Sequence, residues 1–220
     1  MNVTYQINQH DRRHRLLKQH PSEQSRSFVK AFLQLMYCQT TNLTQAVIDI
    51  DNTSRTVGSA AQAACNVTHP GLSSKEDFSS LTSALTSGSN RTAPFQVFAD
   101  ECGIVVGTSA TAVAVADDNL VAIIANGSSA GQFVYYGCYG LNYATGASSA
   151  SFDIERIFRN SSGGNITVAE IGIYATATNQ SSPIDSQVYG FCILRDVLGA
   201  TVTVNNGEYL KVKYTITVSN

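Results

Sequence analysis

The stretch Glu208-Tyr-Leu-Lys-Val-Lys-Tyr-Thr-Ile-Thr-Val218 alternates apolar and polar residues along almost its whole length. A period of two is typical of an antiparallel strand with one buried face. The apolar positions that share this face are Leu210, Val212, Tyr214, Ile216 and Val218. Residues 201–204 also alternate and lead into Asn205-Asn206-Gly207, which is a tight-turn sequence. The end of the chain is therefore predicted to be a β-hairpin.

Shorter strand-like runs precede this hairpin, and turns rich in Gly, Asn and Ser separate them. They lie at residues 45–50, 95–98, 103–107, 119–124, 132–136, 151–158, 166–174 and 188–194. Because the runs do not alternate with helices, a doubly wound α/β fold is disfavoured. The sequence predicts a mainly β fold, an antiparallel β-sandwich or jelly-roll-like domain.

The first 25 residues are polar and basic, and they are predicted to form an arm that is flexible or ordered by a partner. Arg12, Arg13 and Arg15 supply much of its positive charge, and Pro21 interrupts it. Two interpretations stay open. The arm is either a solvated tail or short helix, or a segment that docks onto an acidic neighbour or onto nucleic acid.

Residues 25–39 are predicted to form one amphipathic helix. Its apolar stripe falls at i, i+4, i+7 and i+8, which are Phe28, Phe32, Leu35 and Met36. The apolar stripe of such a helix must be buried, either against the sheet of its own chain or against another subunit. Three regions are predicted. Residues 1–39 form an arm and a helix, residues 40–94 form a strand and a long loop at 58–92, and residues 95–220 form the β-sandwich domain.

Charged residues make up only 14% of the chain, while hydrophobic residues make up 43%. The usual charged share is about a quarter, so this polar but weakly charged surface suits close packing between copies. The net charge of −2 argues against general nucleic-acid binding. No apolar run approaches the ~18 residues of a membrane helix. The N-terminus lacks the apolar region of a signal peptide, so we expect assembly in a cytoplasm.

Motifs that could carry catalysis are weak. Gly127-Ser-Ser-Ala-Gly131 matches the G-x-S-x-G elbow with Ser129 as nucleophile. That elbow needs a following helix and a later histidine, but a strand-like run follows and the last histidine is His69. The adjacent acids Asp100-Glu101 and Asp117-Asp118 are interpreted as solvated turn residues. We expect no enzyme activity.

Metal, cofactor and glycan sites are not predicted either. The five cysteines are far apart and form no C-x-x-C pair, so they are interpreted as buried free thiols: Cys38, Cys65, Cys102, Cys138 and Cys192. We expect no metal and no cofactor. Nine Asn-x-Ser/Thr sequons occur, and we attribute them to a composition rich in Asn, Ser and Thr.

Two further groups of residues have structural or interface interpretations. Arg156 and Glu170 lie on predicted strands and are expected to form a cross-strand ion pair, while Arg195-Asp196 is expected to pin a strand end. A tyrosine cluster includes Tyr135, Tyr136, Tyr139 and Tyr143. It is interpreted as packing at the sandwich rim, as a subunit contact, or as a surface that stacks on sugars.

Several segments, in order along the chain, resemble a family of tailed-bacteriophage virion structural proteins. They are Arg26-Ser-Phe-Val-Lys-Ala-Phe-Leu-Gln-Leu-Met-Tyr37, Asn52-Thr-Ser-Arg-Thr-Val57, Gly103-Ile-Val-Val-Gly-Thr-Ser109, residues 120–136, Phe158-Arg-Asn-Ser-Ser-Gly-Gly-Asn-Ile-Thr-Val-Ala-Glu-Ile-Gly-Ile-Tyr174 and Phe191-Cys-Ile-Leu-Arg-Asp-Val-Leu198. The resemblance covers residues 26–57 and 95–220, and its motifs are fold motifs. It implies a head- or tail-associated β-sandwich protein without a catalytic residue or cofactor.

The sequence therefore predicts a virion structural protein, either a capsid decoration or minor capsid protein or a tail protein, located in the virion. Its expected partners are further copies of itself and other virion proteins, with no membrane. Candidate subunit-interface residues are Phe28, Phe32, Leu35, Met36, Arg12, Arg13, Arg15, Tyr135, Tyr136 and Tyr139. Nucleic acid is an expected partner only for the basic arm. The alternative is a receptor- or glycan-binding adhesin module at a tail or fibre tip, with a host surface receptor as its partner.

Overall fold

The computed structural model of the chain describes residues 2–25, 27–41, 43–57, 100–178 and 188–219. Over these residues the protein is mainly β, as predicted, with antiparallel sheets and one helix. The elements are β1 (Asn2–His10), β2 (Leu16–Gln19), β3 (Glu23–Ser25), α1 (Lys30–Thr41), β4 (Gln45–Ile48), β5 (Ser54–Val57), β6 (Gly103–Gly107), β7 (Phe133–Thr145), β8 (Ser149–Asn160), β9 (Ile166–Thr178), β10 (Val188–Val204) and β11 (Tyr209–Ser219).

The larger sheet has the strand order β2-β1-β11-β8-β7, and β3 also pairs with β1. The alternating strand β11 lies inside it, between β1 and β8. Its residues Leu210, Val212 and Tyr214 are fully buried, whereas the residues between them are only half-buried. The predicted period of two is confirmed, and the larger sheet keeps one solvent-facing side.

The smaller sheet has the order β10-β9-β6 and is covered on both faces. Every residue from 168 to 175 on β9 is buried, so its two faces are equally inaccessible. The segment 108–124 covers one face: the Leu120 amide donates a hydrogen bond of 2.8 Å to the hydroxyl of Tyr174. This explains why the apolar residues of β9 occupy both faces of the strand without alternation.

The two sheets pack face to face around one hydrophobic core that contains residues of both. Polar contacts join them: the Tyr214 hydroxyl on β11 donates to Asp196 on β10 at 3.1 Å, and Gln9 Nε2 on β1 donates to the Thr203 carbonyl at 2.7 Å. The predicted β-sandwich is confirmed.

The predicted C-terminal hairpin is wrong in its pairing. The turn 205–207 forms, with the Glu208 amide donating to the Asn205 carbonyl at 3.0 Å, but β10 pairs with β9 while β11 pairs with β1 and β8. The turn therefore crosses from one sheet to the other. Asn160 stabilises this crossing, because its Nδ2 donates hydrogen bonds to the carbonyls of Val204 and Gly164, both at 2.8 Å.

The predicted N-terminal arm is wrong for residues 2–25, which are built into the larger sheet. β1 pairs with β11 along its whole length, from Asn2 opposite Thr217 to His10 opposite Tyr209. Its inward side chains Val3, Tyr5 and Ile7 are 2–4% exposed. The polar residues of β1 alternate with these apolar ones, so the strand has the same half-buried pattern as β11.

The helix begins later than predicted, at Lys30, because residues 27–29 run along the edge of β10. The Arg195 amide donates to the Ser27 carbonyl at 3.1 Å, and the Val29 amide donates to the Ile193 carbonyl at 3.3 Å. The half-buried side chains of Phe28, Phe32 and Leu35 pack against the core, while Met36 is 40% exposed. The helix packs on β10 and β4, so its own domain covers it.

The other predicted strands have mixed outcomes. Most are found, several with longer bounds, and β4 pairs with β5 as a separate two-stranded sheet. The prediction for 119–124 is wrong: this segment makes only one bridge, between Ile123 and Gly107, because its amides bond to the side chain of Glu170 instead. The predicted loop at 58–92 and strand at 95–98 lie outside the described residues.

Candidate functional site

The tyrosine cluster divides between the core, one surface groove and, for Tyr143, a separate exposed position. Tyr135 is 1% exposed, and its hydroxyl donates to the Ile124 carbonyl at 2.5 Å. Burial raises the pKa of Tyr135 well above its usual range. Tyr135 therefore belongs to the core and offers no surface to a neighbouring subunit, whereas Tyr139 is 56% exposed.

The surface feature that unites the remaining aromatic residues is a groove of about 310 Å³ on the solvent-facing side of the larger sheet. We call it the aromatic groove; its lining includes His14, Tyr136, Gly137, Tyr139, Glu155 and Tyr209. The rings of His14 and Tyr209 stack with centroids 4.4 Å apart, and Tyr136 and Tyr209 lie 6.4 Å apart. Three separate parts of the chain thus supply one aromatic surface.

The β1–β2 turn positions His14. The carboxylate of Asp11 organises this turn, because its Oδ1 accepts hydrogen bonds from the amides of Arg13 and Arg15 at 2.8 and 2.9 Å. The Arg15 backbone hydrogen bond lowers the pKa of Asp11 and so favours its charged form. His14 adopts a left-handed conformation with φ of 60°, which turns the chain back towards β2.

The candidate cations of the predicted arm are therefore exposed residues of a tight turn. Arg15 forms an ion pair with Asp11 at 2.6 Å, and Arg12 Nη2 lies 3.4 Å from the Asn206 carbonyl. Arg13 is exposed beside them. They lie on a folded loop at one end of the larger sheet instead of on a free tail.

A β-bulge in β7 shapes the other wall of the aromatic groove. The register between β7 and β8 shifts between Tyr135 and Cys138, so Tyr136 and Gly137 stand opposite the single residue Ile157. A Cβ atom at Gly137 would lie 2.6 Å from the Tyr139 hydroxyl, so the Tyr139 ring lies directly over this glycine. A side chain at this position would displace the exposed Tyr139 ring from where it lies.

Ion pairs alternate across the solvent-facing side beyond the groove. Lys211 pairs with Glu155 at 2.7 Å, and Lys213 lies 3.5 Å from Asp153. Burial opposes the charge on Asp153, but hydrogen bonds from Asn142 and Thr215 and the charge of Lys213 outweigh it and lower its pKa. This face therefore carries hydrogen-bond donors and acceptors, and its positive and negative charges nearly balance.

Buried charges form a second cluster, in the smaller sheet. Arg195 Nε lies 2.8 Å from Glu170 Oε2, and Arg195 Nη1 lies 2.7 Å from Asp117 Oδ2. The predicted pair Arg156–Glu170 is wrong, and Arg195 and Asp196 lie within β10 instead of pinning a strand end. Neighbouring residues on a strand point to opposite faces, so Asp196 instead contacts Tyr214.

Arg156 is 1% exposed and bonds to backbone carbonyls. Its Nη1 donates to the carbonyls of Cys102 and Ile104 at 2.7 and 2.8 Å, and its Nε donates to that of Tyr136 at 2.8 Å. Its guanidinium carbon lies 4.9 Å from the ring centroid of Tyr135. Arg156 therefore joins the two sheets through hydrogen bonds and a cation–π contact.

The remaining predicted chemistry is placed as follows. Ser129 lies in an exposed turn ahead of strand β7, so it lacks the strand-to-helix geometry of a nucleophile elbow. Asp117 is part of the buried cluster above, and Asp100 accepts a hydrogen bond of 2.8 Å from the Asn126 amide, so neither is merely solvated.

Cys38, Cys138 and Cys192 are buried free thiols, as predicted. Cys102 is buried as well, and Cys65 lies outside the described residues. Burial raises the pKa of the Cys192 thiol to about 12, so it is not a reactive thiolate at neutral pH. In the part of the chain that the structure describes, no group of acidic, histidine or cysteine side chains could hold a metal ion. No helix there is long and apolar enough to span a membrane.

One apolar surface lies at the far end of the larger sheet, where its inward face extends past the core. Phe152 and Val218 continue the inward-facing positions of β8 and β11 but are 37% and 55% exposed. Tyr143, in a bulge of β7 opposite Phe152, is 76% exposed. We call these three residues the overhang.

Sequence reasoning found Tyr136 and Tyr139 but missed the other groove residues. Tyr209 is the outward-facing first residue of β11, and the alternation that predicted the strand also placed it on the solvent side. His14 and Gly137 carry no comparable signal, because the β1–β2 turn and the β7 bulge bring them to the groove. Comparison with known proteins gave no match to any family model, curated protein or solved structure.

Proposed function

We propose that this chain is a structural component of a bacteriophage virion that acts by associating with copies of itself and with neighbouring virion proteins. The observation that carries the proposal is the overhang. Monomeric proteins seldom leave the apolar face of a sheet uncovered, and such surfaces mark contacts with other proteins.

The strand next to the overhang supports the same function. Among the described residues β7 is one of the two edge strands of the larger sheet, and its sequence Phe-Val-Tyr-Tyr-Gly-Cys-Tyr-Gly-Leu-Asn-Tyr-Ala-Thr contains no charged residue. Proteins usually protect edge strands with charges, often lysine, or with proline. An uncharged edge brings no like charges together when two copies meet, so self-association meets no electrostatic barrier.

The oligomeric state of the purified full-length chain tests the self-association. We expect light scattering after size-exclusion chromatography to give an oligomer, and Val218→Lys or Phe152→Lys to reduce it to a smaller species. Ser129→Lys adds the same charge in an exposed turn and serves as the matched control. A wild-type chain that stays monomeric at all accessible concentrations would contradict the proposal.

The virion location has its own test. Quantitative mass spectrometry of gradient-purified particles gives the copy number of this chain relative to the major capsid protein. Hundreds of copies would indicate a shell, cement or tail-tube component, and a handful would indicate a tail tip, fibre or connector. Absence from the particles would exclude a virion component.

A further inference from the structure

We propose that the aromatic groove binds a pyranose ring of a glycan. This inference goes beyond the proposed self-association and holds whether or not the chain assembles, because the groove and the overhang share no residue. It gives the alternative function, a receptor- or glycan-binding module, a defined site.

The arrangement of the rings suits a sugar. Aromatic faces carry partial negative charge and attract the positive edges of other groups. A pyranose ring presents C–H groups on its faces and hydroxyls around its rim, so it packs its faces against aromatic rings. Tyr139 on β7 and Tyr209 on β11 approach the groove from different strands, and His14 extends the surface by stacking on Tyr209 at 4.4 Å.

The polar groups suit hydroxyls better than an anion. Glu155 lines the groove, and its Oε2 is paired with Lys211 at 2.7 Å, so the pair offers both an acceptor and donors while its charges offset one another. Arg156 also lines the groove, but it is 1% exposed and its Nη1 and Nε donate to backbone carbonyls, so only its Nη2 is left without a partner among the described residues. One such donor suits a hydroxyl, whereas a phosphate or sulfate group would need several cations and would meet the Glu155 carboxylate. The proposed ligand is therefore an uncharged pyranose unit.

The groove is formed in advance. Tyr139 lies over Gly137, where a Cβ would come within 2.6 Å of its hydroxyl, so the glycine leaves room for the ring at the groove wall. The β1–β2 turn holds His14 through the hydrogen bonds of Asp11 at 2.8 and 2.9 Å. Sites whose geometry exists before binding lose less entropy when the ligand arrives. The groove of about 310 Å³ falls at the small end of known ligand sites.

The test measures binding of the full-length chain to an array of neutral and acidic oligosaccharides and to a single-stranded oligothymidine. The chain has no tryptophan, so tyrosine fluorescence provides the titration signal for any array hit. We expect a neutral oligosaccharide to bind, and Tyr139→Ala or Tyr209→Ala to weaken it about fivefold or more. Tyr37→Ala removes an exposed tyrosine that lies in neither the groove nor the overhang, and it should leave the affinity unchanged.

A pair of glycine variants tests the geometry without removing an aromatic ring. Gly137→Ala should weaken binding because it displaces Tyr139, whereas Gly140→Ala meets no atom within 4 Å and should bind normally. Binding that is insensitive to Tyr139, Tyr209 and Gly137 would overturn the site. Binding to oligothymidine or to acidic saccharides alone would overturn the ligand class, and no binding at all would overturn both. The oligomeric state of these variants should equal that of the wild type, so this outcome is independent of the self-association test.

Discussion

Glu170 on β9 and Arg195 on β10 form an ion pair of 2.8 Å in which both side chains are completely buried. Glu170 Oε1 also accepts a hydrogen bond from the Ala122 amide at 2.8 Å, and Arg195 Nη2 donates to the Thr111 carbonyl at 2.8 Å. The pair therefore fastens the irregular segment 108–124 to the smaller sheet. A segment without its own strand partners needs such side-chain contacts to satisfy its backbone groups.

Breaking this pair from one side should be costly. We expect Arg195→Met to lower the free energy of unfolding by about 3–5 kcal/mol, because Glu170 would remain as a buried carboxylate without its cation. Urea denaturation followed by circular dichroism measures the change. The double variant Glu170→Gln with Arg195→Met should recover part of the loss, and a double variant less stable than Arg195→Met alone would contradict the electrostatic explanation.

The N-terminal residues should prove essential for folding. Because Val3, Tyr5 and Ile7 fill the core, we expect deletion of residues 1–25 to give an insoluble or unfolded chain. The substitution Ile7→Ala tests the same point quantitatively. It should lower the free energy of unfolding by about 2–5 kcal/mol because it leaves a cavity in the core. Gln6→Ala, on the solvent-facing side of the same strand, is the control and should change stability by less than about 0.5 kcal/mol. A soluble, cooperatively folded truncation would restore the interpretation of residues 1–25 as an arm.

The sequence predicted strands best where local pattern and burial agree. The alternation in β11 gave the strand, its buried face and its outward Tyr209. β1 has a similar alternation, but the basic residues 11–18 that follow it favoured the interpretation as an arm. Composition averages over a segment, whereas the pleat depends on each position, so the charge of a turn obscured the strand before it.

Pairing partners and the aromatic groove were not predictable in the same way. Asn205-Asn206-Gly207 does reverse the chain, but a turn sequence does not specify whether the next strand joins the same sheet. That choice depends on long-range contacts such as those of Asn160. His14 and Gly137 reach the groove through a left-handed turn residue and a bulge, and neither has a reliable sequence pattern.

Asn160 should be a sensitive position for stability. Its side chain is completely buried and donates to the carbonyls of Val204 and Gly164 at the point where both sheets meet. Asn160→Ala leaves these carbonyls without this donor, and we expect a loss of about 2–4 kcal/mol. Asn165→Ala, in the same turn but exposed, is the matched control. Equal stability of the two variants in urea denaturation would show that the Asn160 contacts do not stabilise the crossing between the two sheets. Its burial also makes glycosylation of this sequon incompatible with the folded chain.

Alkaline titration should reveal tyrosines that ionise only when the protein unfolds. Burial raises the pKa of Tyr135, Tyr174 and Tyr214 above its usual value of about 10. Part of the rise in absorbance near 295 nm should therefore appear only on unfolding, a signal undisturbed by tryptophan.

The raised pKa values of the buried tyrosines also make the stability of the protein depend on pH. Above about pH 10 the unfolded chain loses its tyrosine protons while the folded chain keeps those of the buried groups, so stability falls as the pH rises towards the folded pKa values. Tyr214→Phe removes one such group, and its urea midpoint should fall less steeply between pH 9 and pH 11 than that of the wild type. Tyr143→Phe should follow the wild type. Parallel curves for all three proteins would mean that Tyr214 ionises as freely in the folded chain as in water.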